Sequence, residues 1–492
     1  MSDKYNKIKK IPIYFLFGGF QIEMGGVGFA VVNRANSLVE KGYDITLINT
    51  DLINNFDYVK NYFYKNNLLN AKINILNLYD YYSKKNTIGA NIPTKKSDTD
   101  FEVKEHVNSD DSINYDYYDG DEIVKNESYV NNCLVYRKMG NEIEYFTTDG
   151  YNYLSKSGNK FFLKNRGEEV KEFKYSNIFL DYFLKEVCFD KSKPFIVCDS
   201  TAHWYDIRRI SCDEAYKIGS MHGNPYIGTE ENRKIKPNIR HFKYLDNLDA
   251  LVLLTKEVKE DLLNDFNYSR FVQIPNFVSN EFLVDLHVSK NIDKIGIFSR
   301  ISPEKQISHA IKAFKIVTEK KPSAMLEIYG SATSDAEKEE FEKLKKLVND
   351  LNLKDNVHFN GFVSNVNEEM QKTLVSLIIS QNEGLPLSLI ESMASATPVI
   401  AYNFKYGPKD VITDGVDGII VKSGDINMLA QQILNFLDNP NLAIDMGVKA
   451  KEKIEKQYSL ENVSKKWEDL FLEIYNKREG GTIFSKIKKI FF

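Results

Sequence analysis

The feature that most constrains the fold is an alternation of short strand patterns with helical patterns between residues 294 and 402. The strand patterns, rich in Val, Ile and Leu, are KIGIFSR, AMLEIYG, NVHFNGF, SLIISQ and PVIAYN, and the helical patterns cover 308–320, 336–349, 367–374 and 387–394. Parallel strands need crossover connections, and continuous apolar runs are typical of strands covered by helices on both faces. The alternation therefore predicts a doubly wound, parallel α/β domain.

The same alternation opens the chain, stops, and returns later. A strand (11–17), a helix (29–40) and a second strand (44–49) are predicted first, and PFIVCDS, DALVLLT, a helix at 256–265 and FVQIP resume the pattern from residue 194. Two Rossmann-like domains are therefore predicted. In such domains ligands bind beyond the carboxyl ends of the strands, so we expect the functional residues in a cleft that both domains face.

The interruption predicts an inserted, β-rich module in the N-terminal domain. We expect the acidic stretch 98–122 to be a mobile loop. The segments CLVYRK, EIEYFT, YNYLSK and FFLK alternate apolar and polar residues between turn sequences, which is typical of an antiparallel meander. The predicted division is 1–70 and 191–285 for the N-terminal domain, 71–190 for the insertion, 286–478 for the C-terminal domain and 479–492 for a basic tail.

Composition excludes several classes of protein. The 492 residues carry a formal net charge of -4, which argues against a general nucleic-acid binder, because such proteins neutralise many phosphates. The four cysteines have no CxxC or metal-ligand spacing, which predicts a reduced, cytoplasmic chain. The N-terminal basic segment and the apolar IPIYFLFGGF imitate a signal peptide, but the run is short and lacks a cleavage site, so we predict a buried first strand and no membrane-spanning helix.

Residues 383–401, EGLPLSLIESMASATPVIA, place one glutamate just before a predicted helix and another about two turns into it. Pro386 fits the first helical turn, where its missing N–H costs little. The helix N-terminus then offers unpaired N–H groups to an anion such as a diphosphate, and Gly384 lets the backbone approach it closely. Taken singly, Glu383 is better explained as a carboxylate favoured by the helix dipole, and Glu391 as a solvated helix residue.

A second motif, SRISPEK (299–305), follows the first strand of the C-terminal domain. It places Arg300 and Lys305 at the same predicted edge, with Pro303 fixing the turn between them. A guanidinium and an ammonium there would stabilise charge on a leaving phosphate. The simpler alternatives are that Arg300 pairs with a structural carboxylate and that Lys305 is surface charge.

Two weaker signals lie in the N-terminal domain. Gly25 and Gly26 belong to a GGVG loop between a strand and a helix, which suits close approach of a phosphate but lacks the full dinucleotide-binding spacing. His222 ends a predicted strand in GSMHGNP, and its ring nitrogens can donate or accept. A lone histidine is more often structural than catalytic.

Together GGVG, His222, SRISPEK, EGLPLSLIE and YGPKDVITDGVDGIIV resemble the retaining glycosyltransferases of the GT-B fold, family four. The β-rich insertion and the AYNFKYGP continuation look most like the bacterial wall teichoic acid α-glycosyltransferases. The likeness of the catalytic domains covers about 1–70 and 190–475, and the insertion resembles the trimer-forming module of those enzymes more loosely. The paired spacings E-x7-E and R-x4-K are specific, whereas either alone is not.

The resemblance implies a role for each site residue. Arg300 and Lys305 would bind the UDP diphosphate and stabilise it as it leaves, and Glu383 would lie beside the donor sugar. His222 would contact that sugar or the transition state. Donor binding is further assigned to Gly25, Gly26 and the helix-start residues Gly384, Leu385, Pro386 and Leu387, with Glu391 holding the ribose.

The resemblance also implies transfer of glucose or N-acetylglucosamine from a UDP-sugar, with retention, to hydroxyls of poly(ribitol phosphate) or poly(glycerol phosphate). No cofactor or metal is expected: Asp98-Thr-Asp100 and Asp119-Gly-Asp121 imitate a metal-binding D-x-D pair but lie in the acidic insertion. The rival functions are N-acetylglucosamine transfer to Ser/Thr-rich adhesins and a non-catalytic glycan-binding GT-B subunit. Neither the donor sugar nor the acceptor polymer is specified by any motif.

Two surfaces suggest partners. We expect a homo-oligomer, a trimer, built through the insertion, whose meander carries Tyr136, Tyr145, Phe146, Tyr151, Tyr153, Phe161 and Phe162. The alternative is a sheet packed within its own chain. The tail GGTIFSKIKKIFF is predicted to begin after a helix break at Gly480 and Gly481 and to form a basic amphipathic helix, which suits contact with the inner face of the membrane. The alternative is that the tail folds back onto the protein, which would bury the same apolar side of the helix.

Overall fold

The structure is a computed structural model that describes residues 2–22, 24–94, 101–189, 193–199, 204, 207–227, 234–236, 242 and 245–491, without side chains for 2–4 and 480–491. Asp98 and Asp100 lie outside the described residues. The chain divides into two compact units, the first of 1–221, 235–251 and 468–492 and the second of 222–234 and 252–467. Among the described residues no helix has the length and apolar character needed to cross a bilayer.

The strands, in chain order, are β1 Ile13–Phe17, β2 Ile45–Asn49, β3 Asn74–Asn77, β4 Glu102–Val107, β5 Ile113–Asp119, β6 Glu122–Val130, β7 Cys133–Met139, β8 Glu142–Phe146, β9 Asn152–Ser157, β10 Lys160–Leu163, β11 Lys171–Phe173, β12 Phe195–Cys198, β13 Tyr216–Met221, β14 Tyr226–Ile227, β15 Lys234–Ile235, β16 Ala250–Leu253, β17 Phe271–Gln273, β18 Asn291–Phe298, β19 Met325–Tyr329, β20 Val357–Gly361, β21 Thr373–Ile378, β22 Val399–Tyr402 and β23 Ile419–Val421.

The helices are α1 Ser2–Ile8, α2 Gly26–Glu40, α3 Phe56–Lys65, α4 Leu78–Asn86, α5 Ser176–Cys188, α6 Lys256–Asp265, α7 Asn280–Leu283, α8 Ile307–Lys320, α9 Asp335–Asp350, α10 Val366–Lys372, α11 Leu387–Ala394, α12 Pro408–Val411, α13 Ile426–Asp438, α14 Pro440–Tyr458 and α15 Leu460–Phe491. A short 3₁₀ turn, Pro303–Lys305, precedes α8.

Two sheets confirm the predicted doubly wound α/β class. Their strand orders are β3-β2-β1-β12-β13-β16-β17 and β20-β19-β18-β21-β22-β23. Strand β1 is parallel to both β2 and β12, and β18 is parallel to both β19 and β21. In each sheet the chain first adds strands on one side of the first strand, β1 or β18, and then returns to add strands on its other side. The position at which the strand order reverses is the switch point, where open α/β sheets bind ligands.

The second unit is held by a continuous apolar core. Strands β18, β19, β21 and β22 place their apolar side chains between helices on both faces, and Ile295, Leu326, Val375 and Ile400 are fully buried. From α11 the core receives Leu389, Ile390 and Met393. Such burial on both faces explains why these strands lack alternation in the sequence.

The insertion is an antiparallel sheet of eight strands in the order β11-β10-β9-β8-β7-β6-β5-β4. The predicted mobile loop is wrong for residues 101–122, because β4, β5 and the start of β6 lie there. These polar strands are stabilised by cross-strand partners that a composition argument misses. The buried Glu127 accepts hydrogen bonds from Tyr117 Oη at 2.8 Å and Tyr129 Oη at 3.1 Å, and pairs with Arg137 Nε at 2.9 Å.

Several meander aromatics expected at an interface between chains pack within this chain instead. The rings of Tyr145 and Tyr79 lie 5.0 Å apart, and Phe161 stacks on Phe179 with centroids separated by 5.5 Å. Tyr153 Oη donates to the carbonyl of Tyr79 at 3.1 Å. The alternative of a sheet packed on its own chain therefore holds for this face, because α4 and α5 cover it.

Some boundaries differ from the predictions. Strand β3 pairs with β2 beyond residue 71, where the insertion was expected to begin. Strand β21 ends at Ile378 rather than at residue 381, which lengthens the loop before α11. Helix α15 continues through Gly480 and Gly481, where a break was expected. A helical glycine costs only about 1 kcal/mol relative to alanine and keeps its backbone hydrogen bond, so the flanking helix formers prevail.

Candidate active site

The candidate site lies in the second unit, at the switch point between β18 and β21. Arg300 and Lys305 follow β18, and Glu383 follows β21. Because the two strands are adjacent and parallel, the segments that leave their carboxyl ends meet. A backbone hydrogen bond of 2.8 Å from Gln381 N to Glu304 O ties the two segments together.

Lys305 and Glu383 form an ion pair with 2.5 Å between Nζ and Oε1. Both side chains are largely buried, with exposed fractions of 18% and 17%. The lysine is therefore not simple surface charge. A mostly buried pair of this kind holds both charged groups in a fixed geometry before any ligand arrives.

Arg300 pairs with Glu337, and its exposed fraction is 60% while that of Glu337 is 6%. Glu337 also receives hydrogen bonds from the backbone N–H groups of Thr333 and Ser334 at 2.9 and 3.1 Å. Burial would raise the pKa of Glu337, but these hydrogen bonds and the Arg300 guanidinium lower it to about 2. The structural-carboxylate alternative for Arg300 is thus realised, and the exposed guanidinium keeps donors for a ligand.

His222 lies one residue beyond β13, and the backbone at this position packs tightly on Gly384. A Cβ added to Gly384 would lie 1.8 Å from the carbonyl oxygen of His222 and 3.1 Å from Cα of Gly223. Only glycine fits at position 384. This contact brings the predicted residues His222, Glu383 and Lys305 into one cluster.

Helix α11 begins at Leu387, and the buried Leu385 and Pro386 precede it. Pro386 is the N-cap, with φ -63° and ψ 124°, rather than a first-turn residue as predicted. Proline offers no side-chain acceptor, so the start of α11 has no side-chain cap. The N–H of Leu389 donates to the carbonyl of Pro386 at 3.2 Å, which leaves the N–H groups of Leu387 and Ser388 for a ligand. Burial, with a smaller contribution from the Glu281 carboxylate, raises the pKa of Glu391 to about 7.

A cavity of about 480 Å³ opens at the carboxyl ends of β18, β19 and β20; Ile301, the neighbour of Arg300, lies in its wall, whereas His222, Lys305 and Glu383 do not. Its walls include Ile301, Gly330, Phe341, Phe359 and Gly361. The volume falls in the range of small-molecule pockets, about 300–1,000 Å³. The mostly apolar lining suits a flat heterocycle.

The predicted glycines Gly25 and Gly26 lie in the first unit. Gly25 is the N-cap of α2, and no atom lies within 4 Å of the position that a Cβ would occupy there. Gly26 is the first residue of α2. The loop therefore leaves open space beside Gly25 at this helix start, and the role of the two glycines in donor binding stays a prediction.

The chain is similar to known glycosyltransferases in sequence and in fold. Residues 284–453 match the family model described as glycosyl transferases group 1. A point mutant of S. aureus TarM, solved in complex with Fondaparinux, alpha-GlcNAc-glycerol and UDP, superposes with a TM-score of 0.81 at 22% identity, covering 94% of this chain and 99% of that one. The chain has the GT-B fold of that enzyme, with a group 1 glycosyl transferase domain at residues 284–453.

Two relatives match almost all of the chain. The poly(ribitol-phosphate) alpha-N-acetylglucosaminyltransferase of Staphylococcus aureus strain COL is 23% identical over 93% of this chain and 99% of its own length. The poly(glycerol-phosphate) alpha-glucosyltransferase of Bacillus subtilis strain 168 is 26% identical over 98% of this chain and 78% of its own length.

The described part of the chain contains no group of three or more His, Cys, Asp or Glu side chains that could hold a metal ion. Asp119 and Asp121 are exposed and flank Gly120 in the turn between β5 and β6. Independence from metal stays a prediction.

Sequence reasoning missed two features of the site. Glu337, which holds Arg300, belongs to a capping box with Ser334, and the S-x-x-E pattern at 334–337 is the signal that would have found it. Asn382, next to Glu383, receives a hydrogen bond from Asn224 Nδ2 at 3.0 Å. No sequence pattern predicts that long-range contact.

Proposed function

We propose that the protein is a glycosyltransferase that transfers glucose or N-acetylglucosamine, in α-linkage, from a UDP-sugar to hydroxyls of a wall teichoic acid. The observation that carries this proposal is the likeness, over almost the whole chain including the insertion, to enzymes acting on poly(ribitol phosphate) and poly(glycerol phosphate). The proposed chemistry is supported by the two cations Arg300 and Lys305 and by the start of α11, which lie at the switch point of the second unit.

In the proposed reaction the bond between the sugar C1 and the β-phosphate oxygen breaks as the acceptor oxygen bonds to C1. The departing β-phosphate takes the acceptor proton, and the attack occurs on the face that the phosphate leaves, so the anomeric configuration is retained. Lys305 and Arg300 stabilise the negative charge that collects on the diphosphate, and the first N–H groups of α11 add to this stabilisation.

The remaining predicted residues position the donor. Glu383 holds the Lys305 ammonium and lies beside the donor sugar. His222 lies on the other side of that sugar. Glu391 binds the ribose hydroxyls, for which a carboxyl group whose pKa is about 7 offers both acceptor and donor atoms. The cavity beside Ile301 takes the uracil ring. Gly25 and Gly26 leave room for the donor phosphate and the acceptor.

The deciding experiment measures UDP release from a panel of UDP-sugars with poly(ribitol phosphate), poly(glycerol phosphate) and a Ser-rich peptide. We expect turnover with UDP-glucose or UDP-N-acetylglucosamine and one of the two polymers. Turnover with the peptide alone would favour the adhesin glycosyltransferase instead. Absence of turnover with every pair would favour the non-catalytic glycan-binding subunit.

We also propose that the glycosyltransferase forms a homo-oligomer, a trimer, through its insertion. Helices α4 and α5 cover one face of the sheet, and its two edge strands are β11 and β4. Strand β4 is the better candidate for pairing, because five of its six residues are exposed, against one of three in β11. An edge strand presents unpaired N–H and C=O groups to another chain.

Light scattering at micromolar concentration tests the oligomer. We expect a mass of about three chains for the wild type and a shift toward monomer for Val107→Lys, which adds a charge to the exposed end of β4. The matched control is Met139→Lys, at the exposed end of the inner strand β7, which should leave the mass unchanged. A monomeric wild type would reject the proposal.

A membrane-surface role is proposed for the C-terminal tail, whose side chains lie outside the described residues. Each lysine near an anionic bilayer contributes about 1 kcal/mol of attraction. We expect deletion of residues 482–492 to abolish sedimentation with anionic liposomes while turnover of soluble acceptor persists. Equal liposome binding by the truncated and full-length proteins would show that the tail is not the anchor.

A further inference from the structure

Asn382 occupies a position that the proposed roles leave unused. It lies on the loop between β21 and α11, directly before Glu383, and it is exposed. The loop is fixed at both sides of this residue: Gln381 N donates to Glu304 O at 2.8 Å, and Gly384 packs against the His222 carbonyl. The backbone of Asn382 therefore has little freedom to move away from the site.

The orientation of the Asn382 amide follows from a chain of hydrogen bonds. The backbone N–H of Tyr226 donates to Asn224 Oδ1 at 2.8 Å, which fixes the oxygen of that amide on the Tyr226 side. The NH₂ group of Asn224 consequently faces Asn382 and donates to its Oδ1 at 3.0 Å. Because a backbone N–H can only donate, neither amide can be flipped without losing a bond.

This orientation gives Asn382 a defined chemical character. Its oxygen is engaged by Asn224, while its NH₂ group has no partner among the described residues and carries two N–H donors. Such a group recognises acceptor oxygens, either sugar hydroxyls or the carbonyl of an acetamido group. Glu383, its neighbour, supplies the opposite character, because a carboxylate only accepts.

We propose that Asn382 binds the hexose of the nucleotide-sugar donor through its NH₂ group, and that Asn224 acts as the positioning residue that fixes the orientation of this amide. The inference rests on the proposed function, since it assumes that the cluster around Glu383 and Lys305 holds a UDP-sugar. The Asn382 contact involves only the sugar, whereas Arg300, Lys305 and α11 contact the diphosphate.

Equilibrium binding separates the sugar contact from the nucleotide contacts. Isothermal titration of the full-length protein with UDP-glucose, UDP-N-acetylglucosamine and UDP should show that Asn382→Ala weakens a UDP-sugar by about 2- to 12-fold, as expected for one neutral hydrogen bond. Its affinity for UDP, which lacks the hexose, should stay unchanged. The matched control is Gln381→Ala, the exposed neighbour on the same loop, which should alter neither affinity.

Asn224→Ala tests the positioning role. It should weaken UDP-sugar binding less than Asn382→Ala does, and the double variant should bind no more weakly than Asn382→Ala alone, because both substitutions act on one contact. If Asn382→Ala loses the same affinity for UDP-glucose as for UDP-N-acetylglucosamine, the amide binds a hydroxyl. A loss confined to UDP-N-acetylglucosamine indicates that the amide binds the acetamido carbonyl.

The outcomes that would overturn the inference are distinct from failure of the proposed function. Unchanged UDP-sugar affinity in Asn382→Ala, or an equal loss of affinity for UDP, would reject the sugar contact while wild-type turnover still supported the enzyme. If the wild type binds no UDP-sugar, the proposed function and this inference fall together.

Discussion

Lys305→Ala should lower kcat by about 10²–10³-fold while the protein stays folded, the usual cost of removing one preorganised group that stabilises transition-state charge. In the structure the lysine is held by Glu383 at the carboxyl edge of β18 and β21, with little exposure to solvent. Its charge is therefore poorly screened, and water would replace it incompletely. Steady-state UDP release, with circular dichroism to monitor folding, measures the effect.

The control for this substitution is Lys320→Ala, an exposed lysine in the last turn of α8, which should retain wild-type kcat. Arg300→Ala should also lower kcat strongly, although Arg300 is more exposed than Lys305. A double variant that combines Lys305→Ala with Glu383→Gln should lose less than the sum of the two single losses, because the side chains form one pair. Near-normal turnover of both Lys305→Ala and Arg300→Ala would sink the assignment of the site.

The parallel sheets could be predicted because each buried strand and each helix is recognisable from its own short stretch of sequence. Buried strands such as β16 and β22 are continuous apolar runs, and α6 and α11 begin and end at the residues that the helical patterns indicated. The common edge followed from the alternation, since parallel strands joined by crossover helices have their carboxyl ends at the same edge of the sheet. The placement of Arg300, Lys305 and Glu383 at one edge was therefore a topological consequence.

The parts that sequence reasoning missed depend on contacts between distant residues. Strands β4 to β6 are acidic and weakly apolar, and the partners of Glu127 come from other strands, so composition favoured a loop. The sequence does not show that α4 and α5 pack on aromatic side chains of the meander, so these side chains were expected to contact another chain. The bond between Asn224 and Asn382 joins residues 158 positions apart.

Gly384→Ala should reduce turnover by about 10²-fold or more, because a displacement of about 1 Å in a catalytic geometry has an effect of that size. The new Cβ would lie 1.8 Å from the carbonyl oxygen of His222, and that neighbour is backbone, which cannot rotate away. The loop that carries Glu383 must then move relative to His222, and the partners of Lys305 move with it. UDP-sugar turnover and UDP affinity should both fall.

Gly223→Ala is the matched control for this glycine. Gly223 lies in the same contact, yet a Cβ added to it would meet no atom within 4 Å. We expect this variant to keep turnover within a few-fold of the wild type and to melt at the same temperature. If Gly384→Ala behaved like Gly223→Ala, the close packing of His222 on the loop before α11 would not be a condition for catalysis, and the cluster of His222, Lys305 and Glu383 would lose its structural basis.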